Sequence, residues 1–478
     1  MHPLHTDTAR TWSGALLALF VVFVPVRPVY ADAAVRSLPT DSVIRDMLVR
    51  RIDVQHRGTG AVIVIVTPDG RRTISYGTVA ADSASPVNGD TVFGVASITK
   101  VFTAILLGEM VHRGELGLDD PASRHLGSHA GSIPSRDGRA ITLADLATHT
   151  SGLPLRPSNL VSKDPDNKYD GYTQEMLYAF LSGFELPRAP GTQYEYSNVG
   201  YGLLGQVLTA RSGKSYDQLV SATIVTPLGM TSTGLDPTTD MTRRSATGYT
   251  VESRAVRAAE RGALDAAGAL HSTANDLAIL LEAVLELRGS SLGPAFQATL
   301  ATRRPGGMAP WSTQIALAWN VLKAGSREVV WKNGSAGGFR SFVGFDPESR
   351  IGVIGLINVQ SDLGVDDIGM HLLGADVPVD MRVPRPHVQV PIDPALLDRY
   401  AGRYRFSESD IATFVREGDQ FFYVLAPGEK LELLAEGDRD FFFKDFDAQV
   451  TFEADATGSA ILAIWHQFGQ DQKGEKIP

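Results

Sequence analysis

At 478 residues, 43% of them hydrophobic and 21% charged, the chain is long enough for one large domain plus a smaller one, and its composition excludes a disordered chain or a membrane bundle. A formal charge of −10 argues against a surface that tracks phosphates, so no nucleic-acid partner is expected. The absence of cysteine excludes disulfides, a thiolate nucleophile and a zinc–thiolate centre.

The N-terminus carries Arg10, an apolar run through Leu16, Leu17, Phe20, Val21 and Val24, and Val29-Tyr30-Ala31 ahead of Asp32. This pattern predicts a secretory signal peptide over 1–31, its apolar part too short for a comfortable membrane span. A periplasmic or secreted bacterial protein with no stable membrane insertion is therefore expected. Residues 61–67 form a β-branched run, Pro68-Asp69-Gly70 is a turn signal and 71–80 resume an extended pattern, which predicts a β-hairpin. From Ser97, the residues Val101, Phe102, Ile105, Leu106, Met110 and Val111 recur at helical spacing until Gly114, which predicts a helix with Ser97 near its N-cap. Short helices are expected over 143–148, 173–182, 199–211 and 272–288, and strands over 316–322, 328–334, 339–345 and 351–358. The hairpin and these strands are expected to pair into one antiparallel sheet with helices on its faces, an α/β (α+β) domain over 40–375. Pro378, Pro384, Pro386, Pro391 and Pro394 crowd a linker over 376–394. Beyond it, short extended runs alternate with Gly- and Asp-containing turns, which predicts a small all-β barrel or sandwich over 395–478.

Three short motifs carry the chemistry. Ser97-Ile98-Thr99-Lys100 places a lysine one helical turn after a serine, on the same face, where it can take the hydroxyl proton. Tyr196-Ser197-Asn198 lies in an extended stretch, so Tyr196 and Asn198 point to the same side. Tyr196 shuttles a proton near neutrality only if Lys100 and Lys332 favour its phenolate, or if a neutral lysine shares the work, and the spacing leaves both schemes open. Lys332-Asn333-Gly334 ends a strand, offering a cation for a carboxylate and a backbone N–H for an oxyanion. His125 and His129 are four apart but lack a convincing third ligand, so no metal site is expected, and His149 and His271 read as structural.

The order Ser-x-x-Lys, Tyr-x-Asn, Lys-x-Gly resembles that of the class C serine β-lactamases and the related penicillin-binding DD-peptidases and esterases. The likeness extends through 93–100, Arg113-Gly114-Glu115, Asp119-Asp120-Pro121, 141–154 and 332–347, and so covers about residues 40–375. It implies a β-lactamase/DD-peptidase-like fold with a small β-barrel-like domain appended. It further implies that Ser97 is the acylated nucleophile, that Lys100 and Tyr196 move protons, and that Asn198 binds a substrate amide. Lys332 would anchor a substrate carboxylate, with Asn333 beside it where β-lactamases usually carry Thr or Ser. The oxyanion hole would be the N–H groups of Ser97 and of Ser335, which follows Gly334. Arg156 stands where class C enzymes often have glutamine. The implied substrate is a β-lactam or, by the same chemistry, the D-alanyl-D-alanine end of a peptidoglycan stem peptide or a small ester. A penicillin sensor that is acylated without turnover is a further member of that set. No metal and no organic cofactor are implied.

Overall fold

The computed structural model describes residues 37–161, 167, 169–256, 262–308, 311–325, 327–361, 363–382, 387–406, 411–426, 429–443, 448–456, 458–467 and 470–478. The expected signal peptide at 1–31 lies outside them. No helix among the described residues is long and apolar enough to cross a membrane.

The larger part is built on an eight-stranded antiparallel sheet. Its spatial order runs Gly70–Gly77, Gly60–Thr67, Ile351–Ile357, Phe339–Asp346, Arg327–Ala336, Asn320–Ala324, Gln314–Ile315 and Arg304–Pro305. The N-terminal hairpin pairs with the last strand of the domain, Ala61 opposite Ile357 and Val66 opposite Gly352. Such a sheet, buried on both faces, needs strands apolar on both sides, and Gly60–Thr67 is a near-continuous run of Ala, Val and Ile for this reason. Alternation divides those side chains between two cores. Val62, Val64, Val330, Val343 and Ile354 face the larger helical layer. Ile63, Ile65, Val329, Trp331, Phe342 and Val353 face the helices Asp41–Val49 and Asp366–Leu372.

The helix Thr99–His112 is buried at every position from Thr99 to Met110, Lys100, Thr103 and Glu109 included, which makes it a central core helix rather than an amphipathic surface one. It packs closely on the helix Gly293–Ala301, where a Cβ on Gly108 would lie 2.8 Å from the Ala295 carbonyl oxygen. Two elements differ from the sequence expectation. The run at 316–322 is interrupted by a turn, with Ala318 at φ +68° and the Ala316 N–H donating to the Trp319 carbonyl, so the strand begins at Asn320. The segment at 272–288 opens with a short strand, His271–Thr273, paired to Val92–Gly94, and the helix starts only at Ala274 under a Thr273 cap.

The C-terminal part is a closed eight-stranded antiparallel barrel from Gly402 to Ile477, its first and last strands joined by Arg403 opposite Ile477. Tyr404, Phe414, Phe421, Phe441 and Phe452 fill it, and Tyr400 of the helix Pro394–Tyr400 stacks on Phe452 at 4.8 Å. Of Phe441-Phe442-Phe443, the outer two are buried in the barrel while Phe442 stacks against His387 on its outside.

Behind the large sheet, Arg51 Nη2 lies 2.7 Å from Asp367 Oδ2, both side chains essentially inaccessible, and the Asp380 N–H donates to the same oxygen at 2.7 Å. A buried charge left unpaired is far more costly than an exposed one. Asp367→Ala should therefore lower the unfolding free energy by about 3–5 kcal/mol in urea denaturation. A loss below about 1 kcal/mol, the range of a solvated surface pair, would contradict this.

Candidate active site

Ser97 sits on a single 3-10 turn, Ala96–Ile98, between the strand Val92–Gly94 and the helix Thr99–His112. It thus directly precedes the N-cap, Ile98, and Ala96 reaches it through a positive φ of 46°. That conformation is held from several sides. Thr99 Oγ1 donates to the Ala96 carbonyl at 2.6 Å and accepts from the Leu270 N–H at 3.1 Å, while the Val95 N–H donates to the Leu270 carbonyl at 2.9 Å. Ser341 Oγ donates to the Val95 carbonyl at 2.8 Å from the neighbouring strand.

Lys100 is completely buried. Its Nζ lies 2.6 Å from the Ala267 carbonyl oxygen, 2.8 Å from Asn198 Oδ1 and 3.1 Å from Ser97 Oγ. The first two partners can only accept, so each takes one hydrogen of the amine, and the remaining direction points at the serine oxygen. Burial, and then the nearby Lys332, push the Lys100 ammonium well below its ordinary range. A neutral amine in this setting turns its lone pair to Ser97 Oγ. Tyr196 Oη donates to the same oxygen at 2.8 Å, and burial pushes the Tyr196 phenol well up, against the pull of Ser97 and Arg340. Of the two schemes open in the sequence, the neutral lysine is the one this environment favours: Tyr196 O–H to Ser97 O–H to Lys100 nitrogen.

Lys332 is also buried, its Nζ 3.5 Å from Tyr196 Oη and 4.8 Å from the ring centroid. Burial first, and the Arg340 charge second, lower it to about 7, with Asp366 opposing. Gly334 lies on the same strand face, packed on the Ser97 backbone. A Cβ there would stand 2.7 Å from the Ser97 nitrogen and 2.4 Å from the Val95 carbonyl oxygen, so only glycine fits. Asn333 requires a correction. The sequence placed it beside the substrate carboxylate, but strand alternation turns it to the opposite face, where it is buried and donates from Nδ2 to Asp366 Oδ2 at 2.6 Å. Arg340 Nε donates to that same oxygen at 3.1 Å, so Asn333 belongs to a buried network behind the strand. The Ser335 side chain shares that opposite face and is exposed, opposite Arg340. Its N–H directly follows Gly334.

The segment from His149 to Leu155 is the mould for the tyrosine loop. The His149 carbonyl accepts from the Glu195 N–H at 2.7 Å, His149 Nδ1 from the Ser197 N–H at 3.1 Å, and the Pro154 carbonyl from Ser197 Oγ at 2.8 Å. The His149 ring packs on Tyr196 at 4.3 Å, and burial drives its pKa well down, so it is a neutral support with its proton on Nε2. Arg156, just beyond, is partly exposed. His125 pairs with Asp120 at 3.0 Å, His129 stacks on Tyr178 and His271 Nδ1 faces the Leu235 carbonyl. Among the described residues no group of His, Asp or Glu is arranged to hold a metal ion.

Three participants escaped the sequence. The Ala267 carbonyl is backbone and carries no residue signal. Asp366 lies at a remote helix start. Tyr169, whose Oη accepts from Asn198 Nδ2 at 2.7 Å, sits in a loop with no recognisable pattern.

The sequence pattern of the beta-lactamase family matches residues 41–375, and a pattern described only as a domain of unknown function (DUF3471) matches 386–476. The chain is 30% identical over 313 residues to the D-alanyl-D-alanine-carboxypeptidase/endopeptidase AmpH of Escherichia coli (strain K12), spanning 62% of this chain and 78% of that protein. It is 28% identical over 336 residues to a beta-lactamase of the same strain, spanning 64% of this chain and 85% of that one. The crystal structure of a class C beta lactamase from Rhodobacter sphaeroides superposes with a TM-score of 0.57 over 67% of this chain and 94% of that one, at 24% identity, and so shares the fold.

Gly334→Ala should slow acylation of Ser97 by about 10²-fold, the size of losing one oxyanion donor, because the strand must move off the Ser97 amide. Stopped-flow or quenched mass measurements of acylation check this, and an unchanged rate would mean the strand tolerates the methyl group.

Proposed function

The chain belongs to the beta-lactamase family, and on that premise we propose that it is a class C-like serine β-lactamase that opens the β-lactam amide through an acyl-enzyme on Ser97. The observation that carries this is the position of Ser97 Oγ, within hydrogen-bonding distance of both Lys100 Nζ and Tyr196 Oη. Ser97 Oγ attacks the carbonyl carbon while its proton passes to the neutral Lys100 amine. The oxyanion forms against the N–H groups of Ser97 and Ser335. As the C–N bond breaks, Tyr196 gives its proton to the leaving nitrogen. Tyr196 recovers a proton from the Lys100 ammonium, so the acyl-enzyme holds a neutral phenol and a neutral amine, in keeping with the directions in which burial shifts them. The Lys100 amine takes a proton from the hydrolytic water, the hydroxide adds to the acyl carbon, and Ser97 leaves with the proton held on Lys100. Every proton is returned and no other group is consumed.

A second reading, a D-alanyl-D-alanine carboxypeptidase or endopeptidase, is favoured by the match to AmpH and by the absence of a side chain at Asn333 facing the cleft. The apolar run at 16–24, followed by Val29-Tyr30-Ala31, supports export to a periplasm or the medium.

A chromogenic cephalosporin should be turned over steadily by the mature protein and not by Ser97→Ala, with a transient adduct by intact mass. A persistent adduct, with D-alanine released from a stem pentapeptide, would move the assignment to the peptidase. Lys332 ionises near pH 7 and loses its charge above it. KM for a carboxylate-bearing β-lactam should therefore climb with pH above that point, approaching about tenfold per unit. KM for a carboxylate-free ester should stay flat, and a parallel rise for both would remove Lys332 as the anchor.

A further inference from the structure

Asn198 stands beside the nucleophile with both ends of its carboxamide engaged. Oδ1 accepts from Lys100 at 2.8 Å, a contact that also orients the amine, so Nδ2 is the end left to offer a substrate. What an N–H donor at that place recognises is a carbonyl oxygen, such as that of an acylamino group on the carbon next to the scissile bond. Here one of the two Nδ2 hydrogens is already taken, because Tyr169 Oη accepts from Nδ2 at 2.7 Å.

Tyr169 is presented by a turn clamped from outside. The Tyr172 N–H donates to the Tyr169 carbonyl at 3.2 Å, and the Asp170 N–H to the Asn167 carbonyl at 3.2 Å. Tyr172 is buried, with its Oη donating to Asn159 Oδ1 at 2.9 Å. Its carbonyl accepts from the Ala263 N–H at 2.8 Å, and a Cβ on Gly262 would come within 2.7 Å of that oxygen. The Tyr169 ring packs against the larger core, so the phenol is held against Asn198 Nδ2.

We propose that Tyr169 is a specificity-determining residue whose hydroxyl occupies the amide-recognition position of Asn198 and biases the site toward acyl donors without an acylamino substituent beside the scissile carbonyl. The inference rests on the acyl-enzyme chemistry at Ser97 described above. A substrate with that substituent competes with the Tyr169 hydroxyl for Nδ2, whereas one without it binds with the Asn198–Tyr169 bond intact.

Benzylpenicillin and 6-aminopenicillanic acid share nucleus and carboxylate and differ in the acylamino group. Their acylation efficiencies, read by quenched intact mass, give a ratio that cancels any change in folded fraction. Tyr169→Phe keeps the ring and removes the acceptor. It should raise the benzylpenicillin to 6-aminopenicillanic acid ratio by about fivefold, the size of one neutral hydrogen bond. A ratio that is unchanged or lower overturns the proposal. The thioesters of N-benzoylglycine and 4-phenylbutanoate form a second matched pair, with the same rise expected for the amide-bearing member. If no penicillin acylates the parent or the variant, the β-lactamase reading fails, and the thioester ratio alone decides for or against Tyr169.

Discussion

An amine sealed from water, with two of its directions fixed on oxygens that can only accept, is the constraint on which the rest of the site depends. Lys100 lies in the first turn of a helix that is buried at every position from Thr99 to Met110. Its weakened hold on a proton is a consequence of that placement, since a buried ammonium without a carboxylate partner is strongly disfavoured. The same burial raises Tyr196 and lowers Lys332, so the phenol keeps its proton more firmly than usual while the two amines give theirs up more readily. An amine that has lost its proton can accept one and a protonated phenol can donate one. Desolvation thereby separates an acceptor from a donor, and Ser97 Oγ is their common point.

Geometry around that point is enforced by backbone more than by side chains. The Ala267 carbonyl aims Lys100, the Val95 carbonyl ties the nucleophile's turn to Ser341, and the carbonyls of His149 and Pro154 hold the loop of Tyr196 and Ser197. Gly334 allows the strand to lie directly against Ser97. Behind the strand, Asn333, Asp366 and Arg340 form a buried polar cluster that fixes its far side. One strand thereby serves two environments, with Lys332 and Gly334 toward the serine and Asn333 toward the cluster.

Much of this was legible because helical and extended spacing translate directly into shared faces. Ser97 with Lys100, and Tyr196 with Asn198, are such pairs, and they meet at one site. Asn333 was misplaced by weighing its position in a motif above the alternation that the same strand pattern already implied. The positive φ of Ala96 and of Ala318 has no residue signature, since alanine rarely adopts it and does so here only under tertiary restraint. This is why a helix start and a strand start were each displaced. Tyr169 was illegible for a different reason: it meets Asn198 across a loop, where neither period applies. In the C-terminal part, alternating aromatics announced strands but not closure. Barrel and sandwich share that alternation, and the pairing of Arg403 with Ile477 is what separates them.

The pairing of Gly60–Thr67 with Ile351–Ile357 places the first strand of the large sheet against one that follows nearly the whole domain in sequence. Contacts of such long separation form late, because loop closure must precede them. A chain growing from its N-terminus therefore holds Ser97, Lys100 and Tyr196 long before the central sheet can close. Until Ile357 is available, Gly60–Thr67 is an apolar strand without its second neighbour, an edge open to pairing with another chain.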